Sequence, residues 1–142
     1  MSEKSRFWWR WLQAACLVVQ GFGAFMVLSP SGTNALFGFL VLGDAGAIGQ
    51  FHERAVDYVG LLHAILGSVL VGWGVALFLV VRQFYMQHPE QVCRLVLLSL
   101  LFWVVPDTAY SLWSGFWQNA VLNASFIALF APPLIACRVQ RD

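Results

Sequence analysis

Apolar residues along this chain fall in long, nearly unbroken runs rather than in alternation or in narrow stripes. Four runs dominate, over residues 7–28, 55–81, 94–117 and 119–137. A helix needs roughly 20 apolar residues to cross about 30 Å of hydrocarbon. The pattern therefore predicts an all-α integral membrane protein, a four-helix bundle in one domain over residues 1–142. Few polar residues interrupt the runs: Gln13 and Gln20 in the first, Asp57 and His63 in the second, Asp107 in the third. The fourth contains Pro132 and Pro133, which makes it the least regular.

Only one connection is long, over residues 29–54. It opens with Ser29-Pro30-Ser31-Gly32, a turn composition. The apolar run that follows, residues 35–42, is too short to span. A short interfacial or re-entrant segment between the first two helices is expected there. The third helix has a start signal in His88-Pro89-Glu90, with proline in the first turn and an acid near the positive end of the helix dipole.

Composition narrows the class further. Hydrophobic residues make up 60% and charged residues 11% of the 142 positions, against about 25% charged in a soluble domain. A soluble enzyme, a disordered tail and a secreted disulfide scaffold are excluded. The net charge is +1, so no basic face exists to neutralise phosphates and nucleic acid is no partner. The lipid bilayer is the expected surround. Seven of the eight Lys and Arg residues fall on one side of the predicted spans: Lys4, Arg6, Arg10, Arg82, Arg94, Arg138 and Arg141. Arg54 alone falls on the other. By the positive-inside rule both termini are cytoplasmic. The basic start and apolar run also suit a signal peptide, but the run is long and no small-x-small cleavage site follows it.

Small residues recur every four positions in two helices, at Gly60, Ala64, Ser68, Gly72 and Ala76 and at Ala120, Ala124 and Ala128. Such ladders let helix backbones approach closely in lipid. They predict packing within the chain, with a homodimer or a larger membrane complex as the other use. Trp8, Trp9 and Trp11 at one edge and Trp113 and Trp117 at the other read as interfacial belt residues with no further task. Trp73 and Trp103 lie deeper and read as core.

Depth arithmetic gives the candidate site. At ~1.5 Å per residue, Gln20, His63 and Asp107 all lie ~12–15 Å below the outer surface. Asp107, Ser111 and Ser114 share one helix face, with Tyr110 beside them, and Asn119 and Asn123 add amides from the fourth helix. An acid in hydrocarbon costs about 2.5–3.5 kcal/mol on the insertion scale, so it faces inward and finds partners. Pro106 frees the carbonyl of Phe102 beside it. Two uses remain open for this layer. His63 and Asp107, with Gln20, Tyr110, Ser111, Asn119 and Asn123, form an outward-facing pocket that binds a small amphipathic ligand or relays a proton. Alternatively they only tie helices together, in a structural or accessory subunit.

Other chemistries are disfavoured by the residues present. Haem would need a second deep histidine beside His63, and no other cofactor signature occurs. A metal set of His52, Asp57, His63 and Asp107 has no recognised spacing. Cys16, Cys93 and Cys137 contain no C-x-x-C, and Cys93 and Cys137 lie at the reducing face, so thiol redox work is not indicated. No nucleophile arrangement supports an enzyme.

Val71-Gly72-Trp73-Gly74, then Trp103 to Pro106, Asp107-Thr108, Ser111, Gly115, Asn119 and Asn123, form a pattern over the last three helices. It resembles small bacterial four-helix membrane protein families to which no activity is assigned. That resemblance implies residence in the bacterial inner membrane. Pro106 departs from it, since the pattern has an apolar residue there. Small multidrug exporters carry their acid in the first helix, where this chain has Gln13 and Gln20. The eicosanoid and glutathione membrane enzymes carry R-A-x-x-N-x-x-E, which Arg54-Ala55 does not continue. The tryptophan-rich sensory proteins have five helices.

Overall fold

The computed structural model describes residues 3–139, with side chains through Cys137. Arg141, part of the basic cluster, lies outside the described residues, as does the side chain of Arg138. The described chain is helical, with no strand among its residues. Its α-helices are α1 (Glu3–Leu28), α2 (Pro30–Phe37), α3 (Glu53–Phe84), α4 (Pro89–Trp113) and α5 (Trp117–Val139). Four of them, all but α2, are long and apolar enough to cross a membrane. At ~1.5 Å per residue the 32 residues of α3 reach ~48 Å, beyond the ~30 Å hydrocarbon layer.

Local chemistry explains the helix limits. Pro89 takes the first position of α4 and Glu90 its first turn, as the sequence predicts. Glu53 begins α3 and Arg82 lies in its last turn, each matched to the helix dipole. The third span starts earlier and ends sooner than the hydropathy suggests. It stops at Trp113 because Gly115 adopts φ 86°, and Phe116 N–H donates to Ser111 O while Gly115 N–H donates to Leu112 O. This paired closure needs a left-handed residue, and glycine supplies one without a Cβ penalty. Gly43, at φ 78°, ends a π-helical turn over Gly38–Leu42 in the same way.

The chain divides into two compact units, one over Val18–Gly74 and the other combining the start of α1, through Leu17, with the chain from Val75 onward.

Within the Val18–Gly74 unit, α1 and α3 meet backbone to backbone. A Cβ at Gly67 would lie 2.6 Å from the carbonyl oxygen of Gly23 and 2.8 Å from the Cβ of Met26. The ladder at Gly60, Ala64, Ser68, Gly72 and Ala76 does not make this crossing. Ser68, Gly72 and Ala76 are exposed, and a Cβ at Gly60 or Gly72 would meet nothing within 4 Å. The buried glycines of α3 lie off the ladder, Gly67 one position before Ser68 and Gly74 two positions after Gly72. The predicted short segment after α1 is α2. It turns off α1 at Ser29, where Thr33 N–H donates to Ser29 O at 2.8 Å. Thr33, fully buried, also donates its hydroxyl to Met26 O at 3.5 Å.

In the second unit α4 and α5 form an antiparallel hairpin around the turn at Gly115. Cys93 pairs with Cys137, Trp103 with Phe126, Asp107 with Asn123 and Ser111 with Asn119. Val92, Val96, Leu100, Phe126 and Phe130 are buried along the hairpin. Pro132 and Pro133 do not break α5. Proline at 133 cannot donate to the carbonyl of Leu129, and the indole N–H of Trp11 takes that acceptor at 2.9 Å. Trp11 therefore has a task beyond the interfacial belt.

Two outcomes follow. Gly67→Ala should destabilise the protein by about 1–3 kcal/mol through overpacking, whereas Gly72→Ala should stabilise it by up to about 1 kcal/mol through helix propensity. Reversible unfolding in mixed detergent micelles measures both. In the same assay Trp11→Phe should cost about 1 kcal/mol. In a Pro133→Ala background it should cost clearly less, because residue 133 then supplies the missing N–H.

Candidate functional site

The α4–α5 hairpin carries most of the polar groups singled out by depth. Asp107 Oδ2 accepts from Asn119 Nδ2 at 3.0 Å and from Asn123 Nδ2 as well. Asn119 Nδ2 also donates to Ser111 Oγ at 2.8 Å, and Asn123 Nδ2 to Thr108 Oγ1 at 3.0 Å. The Ser111 hydroxyl in turn donates to the Asp107 carbonyl at 2.7 Å. Each amide thus spends one hydrogen on the carboxylate and one on a hydroxyl of α4. Asn123 and Ser111 are buried, while Asp107, Thr108 and Asn119 are half-buried. The donor groups of this cluster are used within it, which is the arrangement of a clamp between two helices.

The other predicted site residues are placed as follows. His63 belongs to the Val18–Gly74 unit, where its ring N–H at Nδ1 donates to Asn34 Oδ1 at 3.0 Å. The ring of Phe37 stacks on it at 4.7 Å. Gln20 Nε2, in the same unit, is buried without a hydrogen-bond partner among the described residues. Tyr110 is exposed and meets Trp113 edge-on at 5.9 Å. The hairpin therefore joins Asp107, Ser111, Asn119 and Asn123. Thr108 and Asn34 are the partners that depth arithmetic misses. Thr108 stands one residue from the acid in the quoted motif. Asn34 has no such signal, because it lies in a connection whose depth hydropathy does not define.

Two cavities lie along the same hairpin. One, of about 240 Å³, is an apolar groove lined by Leu97, Leu100, Leu101, Val104, Ile127, Phe130, Ala131, Leu134 and Ile135. The other, of about 430 Å³, is lined by Glu90, Gln91, Cys93, Arg94, Leu97, Leu98, Leu134 and Cys137. They share Leu97 and Leu134 in their linings; the first is the apolar groove and the second, at the start of α4, its polar neighbour, the mouth. Neither cavity is lined by Asp107 or His63.

The mouth holds a feature the sequence reading missed. Cys93 and Cys137 form a disulfide, with their Cα atoms 6.6 Å apart, within the ordinary range for such a bond. Tyr85, buried beside it, places its hydroxyl 3.7 Å from Cys137 Sγ. The sequence, with no C-x-x-C, gives no indication of this bond, and the hairpin register is what brings the two thiols together. Cys16 is a free, buried thiol. Among the described residues no three His, Cys, Asp or Glu side chains gather as a metal-ligand set.

Comparison with protein-family models, with curated proteins and with solved structures finds no match. The resemblance noted above rests on its motif residues alone. Four candidate spanning helices point to a multi-pass membrane protein.

The clamp predicts a graded series. Asn123→Ala should destabilise the protein by about 1–2 kcal/mol and Asn119→Ala by less, since interhelical hydrogen bonds in membranes average well under 2 kcal/mol. Asp107→Leu combined with Asn123→Leu should recover part of the loss, because the acid is then no longer left short of its donor. Detergent unfolding with far-ultraviolet circular dichroism reads each step.

Proposed function

We propose that this chain is a multi-pass protein of the bacterial inner membrane that binds a small amphipathic molecule in the α4–α5 groove. One observation carries the reading: the apolar groove and the charged mouth share Leu97 and Leu134. A ligand with an apolar tail along Leu101, Val104 and Ile127 would hold its polar end near Gln91 and Arg94. Concave, mostly apolar sites with a few convergent polar groups are the usual form of small-molecule pockets. The bias of Lys and Arg supports four crossings with both termini in the cytoplasm. That orientation sets the mouth at the cytoplasmic interface. In this reading Asp107 and its two asparagines hold the hairpin in register rather than touching the ligand.

Native mass spectra of the protein, gently released from its host membrane, test the proposal. Wild type and Asp107→Asn should both retain one stoichiometric small-molecule adduct. Ala131→Trp, which fills the groove, should lose it with the helix content unchanged, and Leu101→Trp serves if that variant fails to fold. An adduct that survives both tryptophans, or that vanishes in a folded Asp107→Asn, would place the ligand elsewhere.

A second reading has its own support. Ser68, Gly72 and Ala76 present a small-residue face on the outside of α3, suited to close approach by another membrane helix. An accessory subunit would then travel with a second polypeptide, and Gly72→Leu would release it.

A further inference from the structure

We infer that Cys93 and Cys137 form a reversible dithiol–disulfide couple whose exchange partner is a small water-soluble thiol carrying carboxylate groups. It rests on the orientation given under the proposed function and shares Arg94 with the amphiphile's polar mouth, while the thiol count tests it separately from the small-molecule adduct.

Three observations converge on it. First, both cysteines, though buried at 6% and 7% exposure, line the cavity at the start of α4, at the helix ends and not in the apolar core. Secondly, the exposed Arg94 lines the same cavity and offers a positive charge to a carboxylate-bearing thiol. Thirdly, Tyr85 directs its hydroxyl at one sulfur only, Cys137 Sγ. With that sulfur in a disulfide, the hydroxyl is the only hydrogen-bond donor of the two. Burial pushes the Tyr85 hydroxyl pKa up, which keeps it a donor.

The asymmetry sets the direction of attack. The thiolate of the incoming molecule bonds to Cys93 Sγ, the Cys93–Cys137 bond breaks, and Cys137 departs as a thiolate that accepts from Tyr85. A second molecule of thiol attacks the external sulfur of the mixed disulfide and releases Cys93. The couple gains two electrons and two protons, and two molecules of thiol leave joined as their disulfide. The basic side of the membrane, where the mouth lies in the proposed orientation, is a reducing compartment. Disulfides that form in such compartments are characteristically transient, catalytic or redox-sensing. Reduction would also untie the open end of the hairpin, beside the polar mouth.

The experiment uses the full chain in membrane vesicles, in a Cys16→Ala background, with glutathione as the probe. Thiols are counted by maleimide–polyethylene glycol gel shift after denaturing quench. After mild oxidation no thiol should label. Glutathione should then expose two, and glutathione disulfide should reverse the change. Cys137→Ala should collect one glutathione on Cys93, and Cys93→Ala should react more slowly at Cys137. Arg94→Glu should slow reduction by glutathione roughly 3- to 10-fold, a local steering effect, and leave reduction by uncharged mercaptoethanol within about twofold. Two thiols that remain free under oxidation would overturn the inference. So would a disulfide that glutathione reaches only after denaturation, which is a structural staple. An Arg94→Glu effect of equal size with mercaptoethanol would overturn the assigned thiol class.

Discussion

Every backbone carbonyl in hydrocarbon needs a hydrogen bond from within the protein, and this chain has made that hard for itself at three prolines. Pro106, Pro132 and Pro133 each remove an N–H from a helix that nevertheless continues. At Leu129 the answer is visible: the indole of Trp11 replaces the missing donor. The start of α1 is thereby fixed to α5 by a side-chain donor. The hydroxyls of Ser111 and Ser114 bond back to carbonyls of α4, at Asp107 and Tyr110. Such back-bonding suits the stretch that follows Pro106.

The hairpin of α4 and α5 is built from three devices of different chemistry in one register. Gly115 closes its turn, the Asp107 carboxylate with two asparagines holds it near that turn, and the Cys93–Cys137 bond ties its far end. Between the carboxylate clamp and the disulfide Trp103 meets Phe126 edge-on, and the groove lies in the same stretch. An opening between helices persists most readily where both ends are pinned. The cavity follows from where the cross-links sit as much as from the side chains lining it.

Hydropathy made the helices legible, because crossing length and Pro89 act locally and no tertiary partner can override them. The α4 terminus at Trp113 was hidden, since hydropathy continues through Ser114 while the turn depends on Gly115. The small-residue ladder misled for a related reason. Spacing by four finds a stripe, but which stripe meets α1 depends on rotation about the helix axis, and that choice fell to Gly67. Of the candidate site, the Asp107 cluster was readable from depth and face. The cysteine pair was readable only through it. Once Asp107 faces Asn123, an antiparallel register sets residue 93 opposite residue 137, a step that counting cysteines or looking for C-x-x-C cannot supply. Asn34, the partner of His63, required knowing how α2 folds back, and nothing in its local sequence carries that.

The clamp also bears on how the protein enters a bilayer. Asp107 alone would burden α4 as it leaves the translocation machinery, while α5 carries both asparagines that relieve it. Gly115 closes the turn between them, and the two amides follow the acid by only 12 and 16 residues. The polar load of α4 and its relief on α5 therefore belong to one short stretch of chain, and the pair is the smallest piece in which the acid has its partners.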